Sequence, residues 1–221
     1  MKLLPHINPF PISQRPYSQR DIQIAEFNGE KLPMPLQATD PVDLVETLTN
    51  DIADNRLPNA LHDFLGQSKE YNEWKKSMPF LKDVPNIHKY KNVHLNYDQV
   101  KVDGEIRSCG AFLPEGQVLY HGGTWPETDF LPNSGEQYEL TRPFSTTLCP
   151  QVAAVHACHH KPKCIWVIKV ESATRTPVFV FNNKAQNLSH ETEVLFASGA
   201  IITCIATKAS RNFYMIEVTI N

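Results

Sequence analysis

His190-Glu191-Thr192-Glu193-Val194-Leu195-Phe196 reads as a strand, four polar residues followed by three apolar ones. Successive side chains of a strand point to opposite faces, so Glu191, Glu193 and Leu195 share one face while Thr192, Val194 and Phe196 take the other. The two carboxylates are then about 6.6 Å apart, at roughly 3.3 Å of rise per residue. Like charges this close in a partly closed cleft raise each other's pKa and cost stability, which a fold tolerates mainly where chemistry uses them. An edge strand with a solvated acidic face explains the run equally well in isolation. Other stretches decide between the two.

The chain has 221 residues, 41% of them hydrophobic, enough for one well-buried core with room for an appendage. A net charge of -3 supplies no global field that would draw in a polyanion. No apolar stretch approaches the roughly 20 residues that span a bilayer, and Pro5 interrupts the N-terminal Met1-Lys2-Leu3-Leu4 too early for a signal peptide. A cytoplasmic protein without membrane partners is expected. Cys109, Cys149, Cys158, Cys164 and Cys204 are odd in number and irregularly spaced, which suits reduced thiols better than a disulfide framework.

Pro5, Pro9, Pro11, Pro16, Pro33 and Pro35 make the first forty residues an extended, surface-hugging segment. Asp40 then reads as an N-cap before Pro41 at N1, with Asp43 adding negative charge to the first turn. Val42, Val45, Leu48 and Ile52 continue at helical spacing. A second helical stretch offers Leu61, Phe64, Leu65, Tyr71, Trp74 and Met78 to a core. The basic and aromatic passage from Pro79 to Asp98, with His88, Lys89, Tyr90, Lys91, His94 and Tyr97, reads as a solvated connector before a phosphate-touching surface. From about Val100 the texture is that of strands: Gln117 to Tyr120, Tyr138 to Thr147, Cys164 to Val170, Val178 to Phe181, Glu191 to Phe196, Ile201 to Ala206 and Phe213 to Ile220, with a helix from Pro150 to about His159.

The strand ending in Tyr120-His121-Gly122-Gly123, then Phe144-Ser145-Thr146-Thr147 before a helix, then Glu191-Thr192-Glu193-Val194-Leu195-Phe196 with Gly199, form an ordered trio spread over roughly half the chain. That trio resembles the mono-ADP-ribosyltransferase superfamily of toxins and their relatives. The resemblance implies an α+β fold, with a split pair of small β-sheets around an NAD cleft and a helical N-terminal part. The division it suggests is 1–98 for the proline-rich and helical part and 99–221 for the catalytic core.

It also implies roles. Glu193 matches the catalytic glutamate, and cleavage of the nicotinamide–ribose bond through an oxocarbenium-like centre needs a fixed carboxylate and little water. Ser145 matches the serine that orients it. Glu191 matches the residue that serves the acceptor in arginine-directed enzymes, with the loop from Asn182 to His190 as the acceptor-recognition turn. Gly122 matches a residue whose backbone clasps the nicotinamide amide, and Tyr120, His121, Ser145 and Thr146 complete the NAD contacts. Thr147 stands where the family often has serine. His121 departs from the arginine of the arginine-modifying branch, so a bidentate phosphate clamp is missing there.

The function expected is transfer of ADP-ribose from NAD to a macromolecule, a protein side chain such as arginine before RNA or DNA, by an intracellular toxin. The resemblance leaves room for an antitoxin or immunity protein as a partner. Two alternatives stand beside it: an NAD glycohydrolase using the same site, and a zinc-stabilised, non-catalytic binding module built on His156, Cys158, His159, His160 and Cys164. The last has poor spacing, and no metal is expected.

Overall fold

Prolines and buried apolar anchors together shape the N-terminal segment. The computed structural model describes residues 1–50, 53–92, 96–128, 130–172, 175–181 and 191–221. Up to Tyr17 the chain is extended, as its prolines dictate, yet it is firmly attached. Leu4, Ile7 and Ile12 are buried, and the Trp74 indole N–H donates to the Pro5 carbonyl at 2.7 Å. A short antiparallel pair, β1 (Ile12–Ser13) and β2 (Gln37–Ala38), closes the segment on itself.

Between those strands lies α1 (Gln19–Asn28), which the sequence reading missed. Its start is a reciprocal capping box between Ser18 and Asp21, and it ends at Gly29 in the left-handed region at φ 68°. The helix buries only Ala25, so no apolar stripe announces it.

Helix α2 (Pro41–Asn50) begins where expected. Asp40 Oδ1 accepts from the Val42 and Asp43 amides, each at 2.9 Å, and Asp43 Oδ2 accepts from Thr39 N at 2.9 Å. Leu44, Val45 and Leu48 are buried, whereas Ile52 lies outside the described residues. Helices α3 (Arg56–Gln67) and α4 (Lys69–Ser77) follow, sharing Ser68 as the end of one and the N-cap of the other. Leu61, Leu65, Tyr71, Trp74 and Met78 are all core.

The passage read as a connector contains α5 (Pro85–Asn92), whose Ile87, Tyr90 and Lys91 are buried. Where strands were expected from Val100, there is instead α6 (Gln99–Cys109), capped by the Asp98 carboxylate on Lys101 N and burying Val102 and Ile106 one turn apart. The two helices are locked together. Glu105 of α6 accepts from the Asn86 and Ile87 amides at 3.0 and 2.8 Å, capping the N-terminus of α5.

The sheet is built from β3 (Val118–Gly122), β4 (Gln137–Glu139), β5 (Phe144–Thr147), β6 (Cys164–Val170), β7 (Val178–Val180), β8 (Glu193–Phe196), β9 (Ile201–Ser210) and β10 (Phe213–Ile220). Among the described residues the order is β4-β9-β10-β6-β3-β5-β8-β7. Strands β6 and β10 are parallel and the other pairings antiparallel. The run from Tyr138 to Thr147, expected as one strand, is two strands in different parts of the sheet, with Pro143 between them.

Strands β3 and β5 meet through the single pair Tyr120 and Thr147, whereas β3 and β6 pair from Val118 to Gly122. The α+β architecture is therefore as expected: one large mixed sheet, divided at the single β3–β5 pair into β4-β9-β10-β6-β3 and β5-β8-β7, with helices from the N-terminal part alongside. Among the described residues no helix is long and apolar enough to cross a membrane.

Helix α7 (Pro150–Ala157) packs on β3 beside this seam, and it does so at Gly122. A Cβ at that position would lie 1.9 Å from the Ala153 carbonyl oxygen and 2.7 Å from the Ala157 amide nitrogen. Both are backbone atoms of a helix, so rotamer changes give no relief. Gly122→Ala is expected to destabilise by at least the roughly 1–3 kcal/mol typical of overpacking. Urea unfolding that gave the variant wild-type stability would disprove this account of the helix–strand contact.

Candidate active site

The seam between the half-sheets opens into a cavity of about 210 Å³, lined by Tyr90, Tyr120, His121, Gly122, Ser145 and Glu193 among others. Every described site residue expected from the sequence lies on its wall: Tyr120, His121, Gly122, Ser145, Thr146, Glu191 and Glu193. A second cavity of about 480 Å³, walled by Trp125, Tyr138, Arg142, Phe144 and Trp166, adjoins it through His121 and Gly122.

Glu193 opens β8 and is 7% exposed. One of its oxygens, Oε1, accepts from Ser145 Oγ at 2.7 Å; Ser145 pairs with Leu195 and Glu193 with Thr147, so the two are diagonal neighbours on adjacent antiparallel strands. The other, Oε2, accepts from Lys91 Nζ at 2.6 Å. Glu191 Oε2 accepts from the same ammonium at 2.5 Å.

Both carboxylates thus converge, but not by strand alternation. Strand β8 starts at Glu193, and Thr192 before it turns the chain with φ 45°. The bend is held by Thr147 Oγ1, which donates to the Glu191 carbonyl at 2.5 Å and meets Thr192 Oγ1 at 3.1 Å. Thr146 donates to the Val194 carbonyl at 2.7 Å, tying β5 to β8. The stretch from Asn182 to His190, expected to recognise the acceptor, lies outside the described residues.

Lys91 and Tyr90 are the site residues that the sequence reading missed. The Lys91 side chain is 6% exposed, and its ammonium sits 5.1 Å from the Phe181 ring centroid. Burial works against the charge as the largest single effect. The attraction of Glu193 and the hydrogen bonds to both carboxylates together outweigh it, and its pKa is raised. Burial, then the negative charge of Glu193, pushes the Tyr90 phenol far above its usual value, so Tyr90 remains a neutral neighbour of Ser145 and Glu193. A signal was present in Pro85 at N1 followed by Ile87, Tyr90 and Lys91 at one-turn spacing, which places a lysine on an apolar helix face.

His121 bridges the seam. Its Nδ1 lies 2.8 Å from the Ser145 carbonyl oxygen, which can only accept, so Nδ1 carries the proton and Nε2 of the neutral ring is an acceptor. The ring packs against Phe144 and Trp166, with centroids at 4.5 and 4.9 Å. Although one edge of the ring reaches the cavity, its depth in the fold pushes its pKa down to about 4, with smaller contributions from His156 and His160. Neutral His121 can accept from a hydroxyl or amide but cannot clamp a phosphate by charge.

The tract His156, Cys158, His159, His160, Cys164 does not converge. Among the described residues no three His, Cys, Asp or Glu side chains are placed to hold a metal ion. In the passage weighed as a phosphate-touching surface, Lys91 turns inward onto the two carboxylates, and His94 lies outside the described residues.

No family model and no curated protein matches the chain. Solved structures do match. The Vis toxin, an ADP-ribosyltransferase from Vibrio splendidus, is 18% identical over 82% of this chain and 91% of its own, with a TM-score of 0.48. Plx2a, an ADP-ribosyltransferase toxin from Paenibacillus larvae, is 11% identical over 74% of this chain and 96% of its own, with a TM-score of 0.47. The ADP-ribosylating toxin BECa of C. perfringens, solved with NADH, is 15% identical over 68% of this chain and 46% of its own, with a TM-score of 0.45. The chain is thus similar to bacterial ADP-ribosyltransferase toxins.

Neutral burial of His121 has a pH consequence. As pH falls, the unfolded chain takes up the proton near the ordinary histidine value of about 6.5, whereas the folded chain waits until about 4. Stability is therefore lost across that window, by at most roughly 1.4 kcal/mol per pH unit. Urea midpoints of wild type and His121→Gln, compared at pH 7 and pH 5, should show the wild type losing more. Parallel losses would exclude His121 as the source.

Proposed function

We propose that the chain is an NAD-dependent mono-ADP-ribosyltransferase. The observation that carries this reading is the Ser145 hydroxyl holding one oxygen of the buried Glu193 at 2.7 Å, on the wall of a cavity edged by His121 and Gly122. A carboxylate fixed by a short hydroxyl side chain and shielded from bulk water is the device that stabilises positive charge developing on a ribose.

The cavity suits NAD as a co-substrate on chemical grounds. Two carboxylates against one ammonium leave a formal negative charge, complementary to the positive nicotinamide ring. The two cavities that share His121 and Gly122 offer a path to an elongated ligand. In this reading Glu193 meets the ribose hydroxyls, Ser145 keeps Glu193 in its rotamer, the His121 Nε2 accepts a hydrogen bond from the bound co-substrate, and Glu191 serves the acceptor. The acceptor is a macromolecule, protein before nucleic acid, because a net charge of -3 provides no general attraction to a polyanion. An intracellular toxin is the setting that the motif resemblance suggests.

Glu193→Gln keeps the shape and removes the charge. Nicotinamide release from NAD should fall about 10²- to 10³-fold, the usual effect of deleting one preorganised electrostatic group. A folded variant that cleaves NAD at the wild-type rate would end the assignment. Incubation with labelled NAD and a cell lysate, split between protease and nuclease, then reports the acceptor: label released by protease supports protein, and label released by nuclease would make nucleic acid the substrate.

A further inference from the structure

The two carboxylates of the site already hold a cation of the protein's own. Lys91 Nζ lies 2.5 Å from Glu191 Oε2 and 2.6 Å from Glu193 Oε2, so one ammonium serves as counterion to both. It is not a mobile surface lysine. Its side chain is 6% exposed, its helix is capped at the other end by Glu105, and Ile87 and Tyr90 bury the turn before it.

We propose that Lys91 is a specificity-determining residue, filling the cation seat at Glu191 so that the enzyme transfers ADP-ribose to an uncharged protein side chain, a hydroxyl or carboxamide, and rejects guanidinium acceptors. The inference rests on the transferase reading of the same cavity. A guanidinium drawn to Glu191 would have to compete with an intramolecular ammonium already hydrogen-bonded to that carboxylate at 2.5 Å. An uncharged nucleophile meets no such barrier, and Glu191, 18% exposed, is open to it. The Glu191-x-Glu193 spacing that suggests arginine in the sequence is thus answered from within the chain.

The step balances with a neutral nucleophile. Its oxygen or nitrogen forms a bond to the anomeric carbon of the ribose as the carbon–nitrogen bond to nicotinamide breaks. The electron pair of that bond stays on the ring nitrogen, which becomes neutral. The proton lost by the nucleophile passes to the Glu191 carboxylate and then to water. Lys91 holds Glu191 in place for this transfer and offers no proton of its own.

The test uses the full chain with labelled NAD, measuring nicotinamide release and covalent adducts separately. Agmatine, a small guanidinium, should form no adduct with the wild type. Lys91→Met should form it at a rate higher by about tenfold or more, as removal of a like charge at the acceptor position implies. The pH profile of nicotinamide release should also shift towards higher pH in Lys91→Met, because two unpaired carboxylates hold protons more tightly. Mass-spectrometric mapping of proteins labelled in a lysate by the wild type should place ADP-ribose on hydroxyl or carboxamide side chains. Adducts on agmatine or on arginine with the wild type would overturn the proposal while leaving the transferase reading intact, as would label carried by nucleic acid. Absence of nicotinamide release under every condition would instead overturn the transferase reading and this proposal with it. Should Lys91→Met fail to fold, the wild-type agmatine and mapping results decide alone.

Discussion

One buried ammonium joins the two parts of the molecule. Lys91 comes from a helix of the N-terminal part and Glu191 and Glu193 from the strand end a hundred residues later, so the site exists only once both are in place. Three charged groups in a partly closed cavity are costly individually and tolerable together, since each carboxylate finds the same partner and Glu193 also receives a hydroxyl hydrogen bond. The helical part is therefore no appendage to the sheet. Its packing, from the Glu105 cap through Ile87, sets where the positive charge stands.

A pair of carboxylates hydrogen-bonded to one cation also sets the electrostatic character of the groups around it. Tyr90 is kept protonated by burial and by Glu193. His121 is kept neutral by burial and directed by the Ser145 carbonyl. The cavity thus offers charge at one end and neutral donors or acceptors along the rest of its wall, an arrangement that recognises shape and hydrogen bonding more than phosphate charge.

Much of this was legible in the sequence where a local rule was at work. The Asp40-Pro41 start, the helix from Pro150 and the strands from Cys164 and Phe213 follow from capping and periodicity, because neighbours in sequence are neighbours in space. Ser145 and Glu193 were found through motif order, and the register of β5 against β8 brings them together. Errors arose where local patterns compete. Val100 and Val102 alternate like a strand, but Val100 is 81% exposed and the buried pair is Val102 with Ile106, one helical turn apart. Lys91 escaped because its meaning lies in a contact across a hundred residues, and a basic, aromatic passage resembles solvated chain until its apolar face is placed against a core.

The single-pair seam between β3 and β5 governs how stiffness is distributed through the molecule. Elsewhere in the sheet, neighbouring strands share from three pairs, between β7 and β8, up to ladders such as the seven consecutive pairs from Tyr214–Cys164 to Ile220–Val170 between β10 and β6. Between β3 and β5 there is one backbone pair, beside a side-chain bond from His121 to the Ser145 carbonyl and the packing of Phe144 on His121 and Trp166. Rotation of one half-sheet against the other therefore strains few backbone hydrogen bonds, whereas bending either half strains many. That one pair, Tyr120 with Thr147, lies on the wall of the cavity holding Glu193, so the strands that carry the carboxylate are tied to one another by more backbone pairs than to the rest of the sheet.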